Sequence, residues 1–550
     1  MLTTPHPAGL DRDTRRRLGS YYTPSPLVRH LLLAVIRPWM DNLRHGAAGM
    51  RGRPDEIALP RLLDPAMGDG AFLNAAADLI AATLSSISGI PAEQARALAV
   101  ARCINGVDID PGAVALARRS LGARAGFAGL LQDDFLAVES PVAGPFDMII
   151  GNPPWGGWSR TLGREAKLAL RARFGTARGA IDPFTLFIER STSLLEPGGR
   201  LAMVLPDYFL LKNYPAARRH VLDNYRIEEL THWGRVFPGV NLDACTMVAT
   251  RAASPPRGGI TRCFPEGPSG RLVRAPRSRF ATAPGCAFNL SLDAREEALL
   301  GRLAKRCVAL GDLLETHEGI HTGNIREKLF VPPHAVASRG RRLRPLVLGR
   351  REIRPFLLRP EGWRVLYDRR LIDKAAGEYA NLGDERWFAG PKLLVRRTGD
   401  VIIAALDREG LCASNNLFVA LPRRGCELPL EYLEGFLNSR LATWSFRAIQ
   451  PRTGRLFAEL KLVHLTRLPV PVPRGRQSRQ AIDQVVALVR DIRRRGRGAG
   501  IGGARRERAG VAPGSFPALD QAFARLAGLS RADEKLMLRK TFSPPGASPL

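Results

Sequence analysis

The 550-residue chain carries 82 lysines and arginines against 52 acidic residues, a formal net charge of +30. With 24% charged and 45% hydrophobic residues it is of soluble globular composition and long enough for two or three domains, each with a full core. Basic excess on this scale points to a polyanionic partner, nucleic acid or an anionic membrane surface, set against a plain bias toward arginine.

In chain order, Gly19-Ser20-Tyr21-Tyr22-Thr23-Pro24 precedes the apolar run 27–36, with Thr23 a candidate N-cap and prolines in the first helical turn. Tyr22 and Thr23 would then sit at a helix N-terminus, where an anion or polar group can dock, although a simple helix start is the plainer account of these residues alone. Residues 61–73, RLLDPAMGDGAFL, predict a short strand ending at Asp64, a glycine loop with Gly68 and Gly70, and a helix from Ala71 to about Leu84. The spacing is neither GxGxxG nor a Walker loop, so no pyrophosphate is indicated. Residues 103–118 predict a second strand ending at Asp108, an acid placed for two ribose hydroxyls, with Asp110 capping a helix from Pro111. Residues 130–136, LLQDDFL, predict a third strand–helix unit. There Asp134 can accept from an adenine amine and Phe135 can pack on the ring, the alternatives being that Asp133 and Asp134 are surface turn residues and Phe135 ordinary core.

Phe146 to Gly151 reads as a buried strand that runs into Asn152-Pro153-Pro154-Trp155. Each proline fixes its own φ and restricts the residue before it, so the Asn152 amide and the Pro153 carbonyl are held at a strand's carboxyl end. Two acceptors aimed at the N–H bonds of an exocyclic amine would favour its nucleophilic geometry, and Trp155 offers a stacking face. The bland alternative is a proline-stiffened loop with an exposed tryptophan. A helix over 183–195, a stop at Glu196-Pro197-Gly198-Gly199, a strand over 200–206 and a last strand over 245–250 complete one doubly wound α/β domain.

Residues 251–288, rich in Pro, Gly, Ser and Arg, read as a linker or irregular entry to a second domain. Residues 289–475 interleave arginine clusters, such as Arg339 to Arg359, with the aromatics Phe356, Trp363, Tyr367, Trp387, Phe388 and Phe418. That pattern suits phosphate and base contact, although a core of aromatics solvated by arginines is the simpler account of most of them. Residues 476–550 read as a tail: a basic amphipathic helix over 481–494, a flexible Gly/Arg segment over 493–510, and a small helical end over 517–540. The seven cysteines form no CxxC pair or zinc spacing, which predicts free thiols in a reducing cytoplasm and no metal site. The apolar stretches fall short of a membrane span, and residues 1–17 lack a signal-peptide core.

The ordered set GSYYTP, DPAMGDGAFL, GVDIDPGAVALA, QDDFL, NPPW, LLEPGGRLAMVLP and VFPGVNLDACTMV resembles the N6-adenine DNA methyltransferases of the gamma motif order, TaqI-like enzymes in particular. The pieces GDLLETHEGIHTGN, RPLVLGRREIRPFL, PKLLVRRTGDVIIAALDREGLCASNNLFVALP and YLEGFLNSRLA are similar to the TaqI-type target-recognition region. The resemblance implies a Rossmann-like methyltransferase domain over 1–250, an α+β target-recognition domain over 289–475 and a small helical tail. It implies S-adenosyl-L-methionine as cofactor, surrounded by Tyr22, Thr23, Asp64, Ala66, Gly68 and Gly70. Asp108 and Ile109 would lie at its ribose, and Asp134, Phe135 and Phe187 at its adenine. Asn152, Pro153, Pro154 and Trp155 would hold a target adenine flipped from double-stranded DNA, with Phe237 stacking on it. Two departures stand out: Met67-Gly68-Asp69 where many relatives have Cys-Gly-Ser, and Trp155 where tyrosine or phenylalanine is usual.

With no endonuclease signature and about twenty residues before the first motif, the resemblance implies a separate restriction or phage-defence partner. The expected setting is cytoplasmic, without a membrane. An RNA or protein-glutamine methyltransferase, and a catalytically inactive DNA-specificity subunit, are the alternative readings.

Overall fold

A computed structural model describes residues 23–45, 53–123, 127–156, 162–211, 214–237, 242–335, 343–349, 351–399, 401–449, 460–476, 478–498 and 516–541. The chain divides into two compact units, Met1–Asp293 and Ala294–Leu550.

The first unit is built on a nine-stranded sheet. Its strands are β1 (Leu62–Asp64), β2 (Ile104–Asp108), β3 (Leu130–Gln132), β4 (Phe146–Gly151), β5 (Leu195–Pro206), β6 (Tyr225–Gly234), β7 (Ala244–Arg251), β8 (Ile260–Phe264) and β9 (Val273–Pro276). Their spatial order is β3-β2-β1-β4-β5-β7-β6-β8-β9. The first five run parallel, and β7 lies antiparallel between β5 and β6. Strands covered on both faces need continuous apolar runs, and Met148-Ile149-Ile150 and Leu201 to Leu205 supply them. The helices Ser25–His45 and Ala71–Ser88 share that core through Leu31, Val35, Ile36, Leu73, Ala77 and Ile80.

This sheet positions the site through its topology. From β1 the chain winds outward to β2 and β3, then returns to β4 on the other side of β1. The carboxyl ends of β1 and β4 therefore flank a switch point, the place where open α/β sheets hold ligands. A Cβ on Gly151 would lie 2.6 Å from Asp64 Oδ1, so the glycine leaves room for the Asp64 carboxyl between the two strand ends.

Several expectations need correction. Residues 251–288 are not a linker: β8 pairs in parallel with β6, and β9 closes antiparallel on β8. The Thr261 hydroxyl also donates to the Ile227 carbonyl. Alternate positions in 260–264 are buried, and this period-2 signal was masked by the prolines and glycines on either side. No helix follows β3; the chain reaches β4 through turns. Glu196 to Gly199 already belongs to β5, which pairs with β4 across a register shift. Helix Ala71–Ser88 is long and apolar enough, by length and composition, to cross a membrane, contrary to expectation, and half of its length is buried inside the unit.

The second unit holds a four-stranded antiparallel sheet, Leu314–Glu318, Leu417–Pro422, Lys392–Arg396 and Ala404–Asp407 in that order. A smaller mixed sheet joins Phe330–Val331, Arg364–Leu366, Leu343–Val347 and Cys412–Ala413. Phe356, Tyr367, Phe388 and Phe418 are buried, so for them the core account holds; Trp363 and Trp387 are half-buried against the core that holds Tyr367 and Phe388. Arg351, Arg354, Arg359 and Arg364 are exposed. The tail folds back onto this unit. Helix Ser478–Gly498 packs on Leu430–Leu437, where a Cβ on Gly435 would meet Val489 at 2.9 Å and Arg493 pairs with the fully buried Glu434. Helices Pro517–Leu526 and Arg531–Thr541 follow. Most of the Gly/Arg segment 493–510 and part of the cluster 339–359 lie outside the described residues.

Candidate active site

Two loops meet at the switch point. The first follows β1. Asp64 is 1% exposed, and its Oδ1 accepts from the Ala66 N–H at 3.1 Å, while Oδ2 is buried with no hydrogen-bond partner. Burial pushes its carboxyl up to about 8, helped by repulsion from Asp108 and Asp69. Met67 N donates to the Val107 carbonyl at 3.0 Å, and Gly68 and Gly70 turn with φ of +54° and +83°. Those left-handed values favour glycine and start the helix at Ala71. Asp69 and Asp108 are also raised above the usual carboxylate range by burial.

Asp108 ends β2 as expected, and its carboxylate ties the loop to the strand. Oδ2 accepts from Gly68 N–H and Oδ1 from Asp110 N–H, both at 2.9 Å. Each oxygen keeps a lone pair for a ligand hydroxyl. Asp110 caps the next helix through Gly112 N–H, as its sequence predicts. Ile109 is 61% exposed, an apolar side chain left open beside Asp108. Asp134 is exposed and accepts from Leu136 N–H at 2.9 Å. Phe135 and Phe187, both buried, pack with ring centroids 5.0 Å apart, and the Arg190 guanidinium lies 5.3 Å over Phe135. Phe187 comes from helix Pro183–Leu194, so the fold brings together two rings that stand 52 positions apart.

The second loop follows β4. Asn152 is clamped at both ends of its amide. Its Nδ2 donates to Thr23 Oγ1 at 3.2 Å, and its Oδ1 accepts from Trp155 Nε1 at 2.8 Å. Trp155 is 8% exposed, which excludes the exposed-tryptophan reading, and it meets buried Phe237 edge to face at 5.5 Å. Thr23 is not an N-cap: the helix begins at Ser25, and the threonine hydroxyl is spent on Asn152. Tyr22 lies outside the described residues.

Two groups of residues escaped the sequence reading. Asp182 precedes a proline at a helix start, the pattern of an N-cap, yet it makes no cap bond. Its Oδ1 instead accepts from Gly156 N–H at 3.0 Å, just past Trp155. Its Oδ2 accepts from the Tyr208 hydroxyl at 2.9 Å and the Tyr214 hydroxyl at 3.2 Å. Burial raises Asp182 above its ordinary value, and the three donors oppose that shift. Nothing local in the sequence signals these contacts. Among the described residues, Asp207, His232 and Asp243 also bring ligand-type atoms within 4.8 Å of one another, with Asp243 facing His232 at 3.6 Å and Arg235 at 3.9 Å.

With this geometry in place, comparison with known proteins is informative. Residues 130–237 match the Eco57I restriction-modification methylase family, and residues 351–470 match the TaqI-like C-terminal specificity domain. The chain is 30% identical over 238 residues to the Type II methyltransferase M.TthHB8I of Thermus thermophilus, covering 42% of this chain and 45% of the relative. It is 28% identical over 197 residues to M.BstVI of Geobacillus stearothermophilus, covering 33% and 35%. A release factor glutamine methyltransferase of Rhodospirillum rubrum is 39% identical over 105 residues, 18% of this chain and 31% of that one. These matches span less than half of each relative's length. Among solved structures, the Type IIL restriction-modification enzyme MmeI, determined in complex with DNA, superposes with a TM-score of 0.59 at 14% identity, covering 96% of this chain and 79% of that one. A nuclease-deletion mutant of the Type ISP enzyme LlaGI gives 0.54 at 11% identity, covering 86% and 47%. At such identities these likenesses establish the fold alone, a Rossmann-like α/β sheet followed by a further domain. The chain thus holds, in this order, a segment matching a restriction-modification methylase family and a segment matching the TaqI-like C-terminal specificity domain.

Proposed function

We propose that the protein is an S-adenosylmethionine-dependent DNA methyltransferase that modifies the N6 amine of an adenine flipped out of duplex DNA. We place it in the cytoplasm, serving a restriction-modification or phage-defence system with a separate nuclease or defence partner. The observation that carries the reading is the Asn152 turn at the switch point, beside the buried Asp64 carboxyl, whose Oδ2 has no hydrogen-bond partner. The residues present fit the cofactor. Asp64 Oδ2 is a buried carboxyl oxygen without a hydrogen-bond partner, close to Asp69 and Asp108, which suits a ligand bearing an ammonium and a sulfonium that would favour its ionised form. Asp108 and Ile109 would hold its ribose edge, Asp134 its adenine amine, and Phe135 with Phe187 the ring. When bound, it supplies an electrophilic methyl group.

The chain's own part is positioning and electrostatics. Asn152 Oδ1 and the Pro153 carbonyl accept the two N–H bonds of the target amine, drawing its lone pair out of conjugation so that it can attack. Pro153 and Pro154 keep those acceptors fixed, and Asp182 holds the exit of the turn through Gly156. The buried ring of Phe237 supplies a stacking face for the base. The exposed arginines of the second unit serve phosphate contact, and a subset of that unit's side chains reads base edges.

The test is labelled methyl transfer by the purified chain to duplex DNA, structured RNA and a glutamine-bearing release-factor fragment, with Asn152→Ala as control. Transfer to adenine in duplex DNA alone, lost in the variant, supports the reading. Transfer to RNA or to glutamine would replace it, and cofactor binding without any transfer would point to an inactive specificity subunit.

A further inference from the structure

We propose that Trp155 is a positioning residue that acts through the edge of its ring, orienting Asn152, while Phe237 alone stacks on the substrate base. The inference rests on the adenine reading above and assigns separate tasks to the two aromatics of that site. An indole N–H can only donate, so its 2.8 Å bond identifies the near end of the Asn152 amide as oxygen. The far end, Nδ2, donates to the buried Thr23 hydroxyl at 3.2 Å. The amide is thus fixed at both ends before any substrate arrives, and Oδ1 keeps a lone pair for the incoming amine.

Geometry separates the two aromatic roles. A base hydrogen-bonded to Oδ1 has that oxygen in its own plane, while a ring stacked on the base lies in a parallel plane about 3.5 Å away. A stacked indole could not also keep Oδ1 in line with its own N–H. The plane of Phe237, in contrast, stands at 73° to that of Trp155. A base parallel to Phe237 therefore crosses the indole plane at a steep angle, and Oδ1 can lie on the line where the two planes meet. Phenylalanine or tyrosine, the usual residue here in the family the sequence resembles, has no ring N–H to donate, so this arrangement is particular to Trp155.

Two measurements on the full-length protein test the assignment. The first needs no activity: with 15N-labelled indole, the Trp155 Nε1–H signal, identified by its loss in Trp155→Phe, should shift and exchange faster with solvent in Asn152→Ala. The second uses two duplexes of one sequence, one with adenine at the target position for rates and one with 2-aminopurine there, which lacks the N6 amine and reports base capture alone. Trp155→Phe should lower kcat about tenfold, the loss of one oriented hydrogen bond, with KM for the duplex and the 2-aminopurine fluorescence rise unchanged. Trp155→His, whose ring can donate an N–H, should recover part of the rate. Phe237→Ala should do the reverse, weakening base capture. An indole signal indifferent to Asn152, or a Trp155→Phe variant that loses base capture as Phe237→Ala does, would overturn the proposal. If the wild-type protein transfers no methyl group to duplex DNA, the adenine reading fails on its own, while the indole measurement still decides whether Trp155 orients Asn152.

Discussion

Asn152 joins the chemistry to the fold, because its side chain hydrogen-bonds to Thr23 and Trp155. Asn152→Ala should abolish methyl transfer and leave cofactor affinity nearly intact, as read by calorimetry. Asp108→Ala should weaken cofactor binding by roughly 1.5–3 kcal/mol, the range for hydrogen bonds to a charged group. It also strips the Gly68 N–H of its partner, so Asp108→Asn, which keeps an acceptor, should cost less. Asp64 gives a pH signature. Its folded-state value is raised from 3.8 to about 8, so between those values the unfolded chain is ionised there while the folded chain holds the proton. The stability of the free protein should therefore fall as pH rises through that window. A cationic ligand favours the ionised carboxylate, so cofactor binding near pH 7 should release a proton. Asp64→Asn should abolish that release, measured by calorimetry in buffers of different ionisation enthalpy; identical release in the variant would place the cation elsewhere. Asp108, Asp110 and the Asn152 turn were legible because their signals are local: a strand, then an acid or a turn, then a helix start. Asp182 was not, because its partners lie 26 to 32 positions away and its local pattern advertises a cap it does not make.

At the scale of elements, long-range polar contacts hold pieces that sequence periodicity alone would leave independent. The Asp182 strut ties helix Pro183–Leu194 to the Asn152 turn and to Tyr208 and Tyr214, which stack at 5.6 Å. Asp182→Asn, which loses the charge that receives three donors, should lower kcat severalfold while cofactor affinity holds; an unchanged rate would show that the prolines alone suffice. In the second unit, Arg493 meets Glu434, whose side chain is fully buried, whereas Arg490 meets Glu431 at 3.8 Å from a side chain 65% exposed. Arg493→Ala leaves a buried carboxylate unpaired and should cost about 3–5 kcal/mol in urea unfolding. Arg490→Ala should cost about 1 kcal/mol or less. The amphipathic helix itself was readable from its apolar spacing, and its packing on Leu430–Leu437 was not. The strands β8 and β9 were hidden for a related reason: short strands in Pro- and Gly-rich sequence gain their identity from pairing, β8 with β6, a partner about 30 positions away, and β9 with β8.

For the whole molecule, the charge of +30 finds a use only if part of it meets phosphate. Neutralising the exposed Arg351, Arg354, Arg359 and Arg364 to glutamine in the full chain should flatten the salt dependence of duplex binding. The expected change is about 0.9 in log–log slope for each phosphate that the variant no longer neutralises. An unchanged slope would return those residues to mere compositional bias. The central claim is methylation of adenine N6 in DNA through Asn152, and the host's own DNA reports it most directly. The gene and its Asn152→Ala variant would be expressed in a strain lacking it, and genomic DNA read by sequencing that detects modified bases. The account predicts N6-methyladenine at one recurrent sequence with the intact gene and none with the variant. Unmodified DNA, modified cytosine, or the same adenine marks with Asn152→Ala would contradict it.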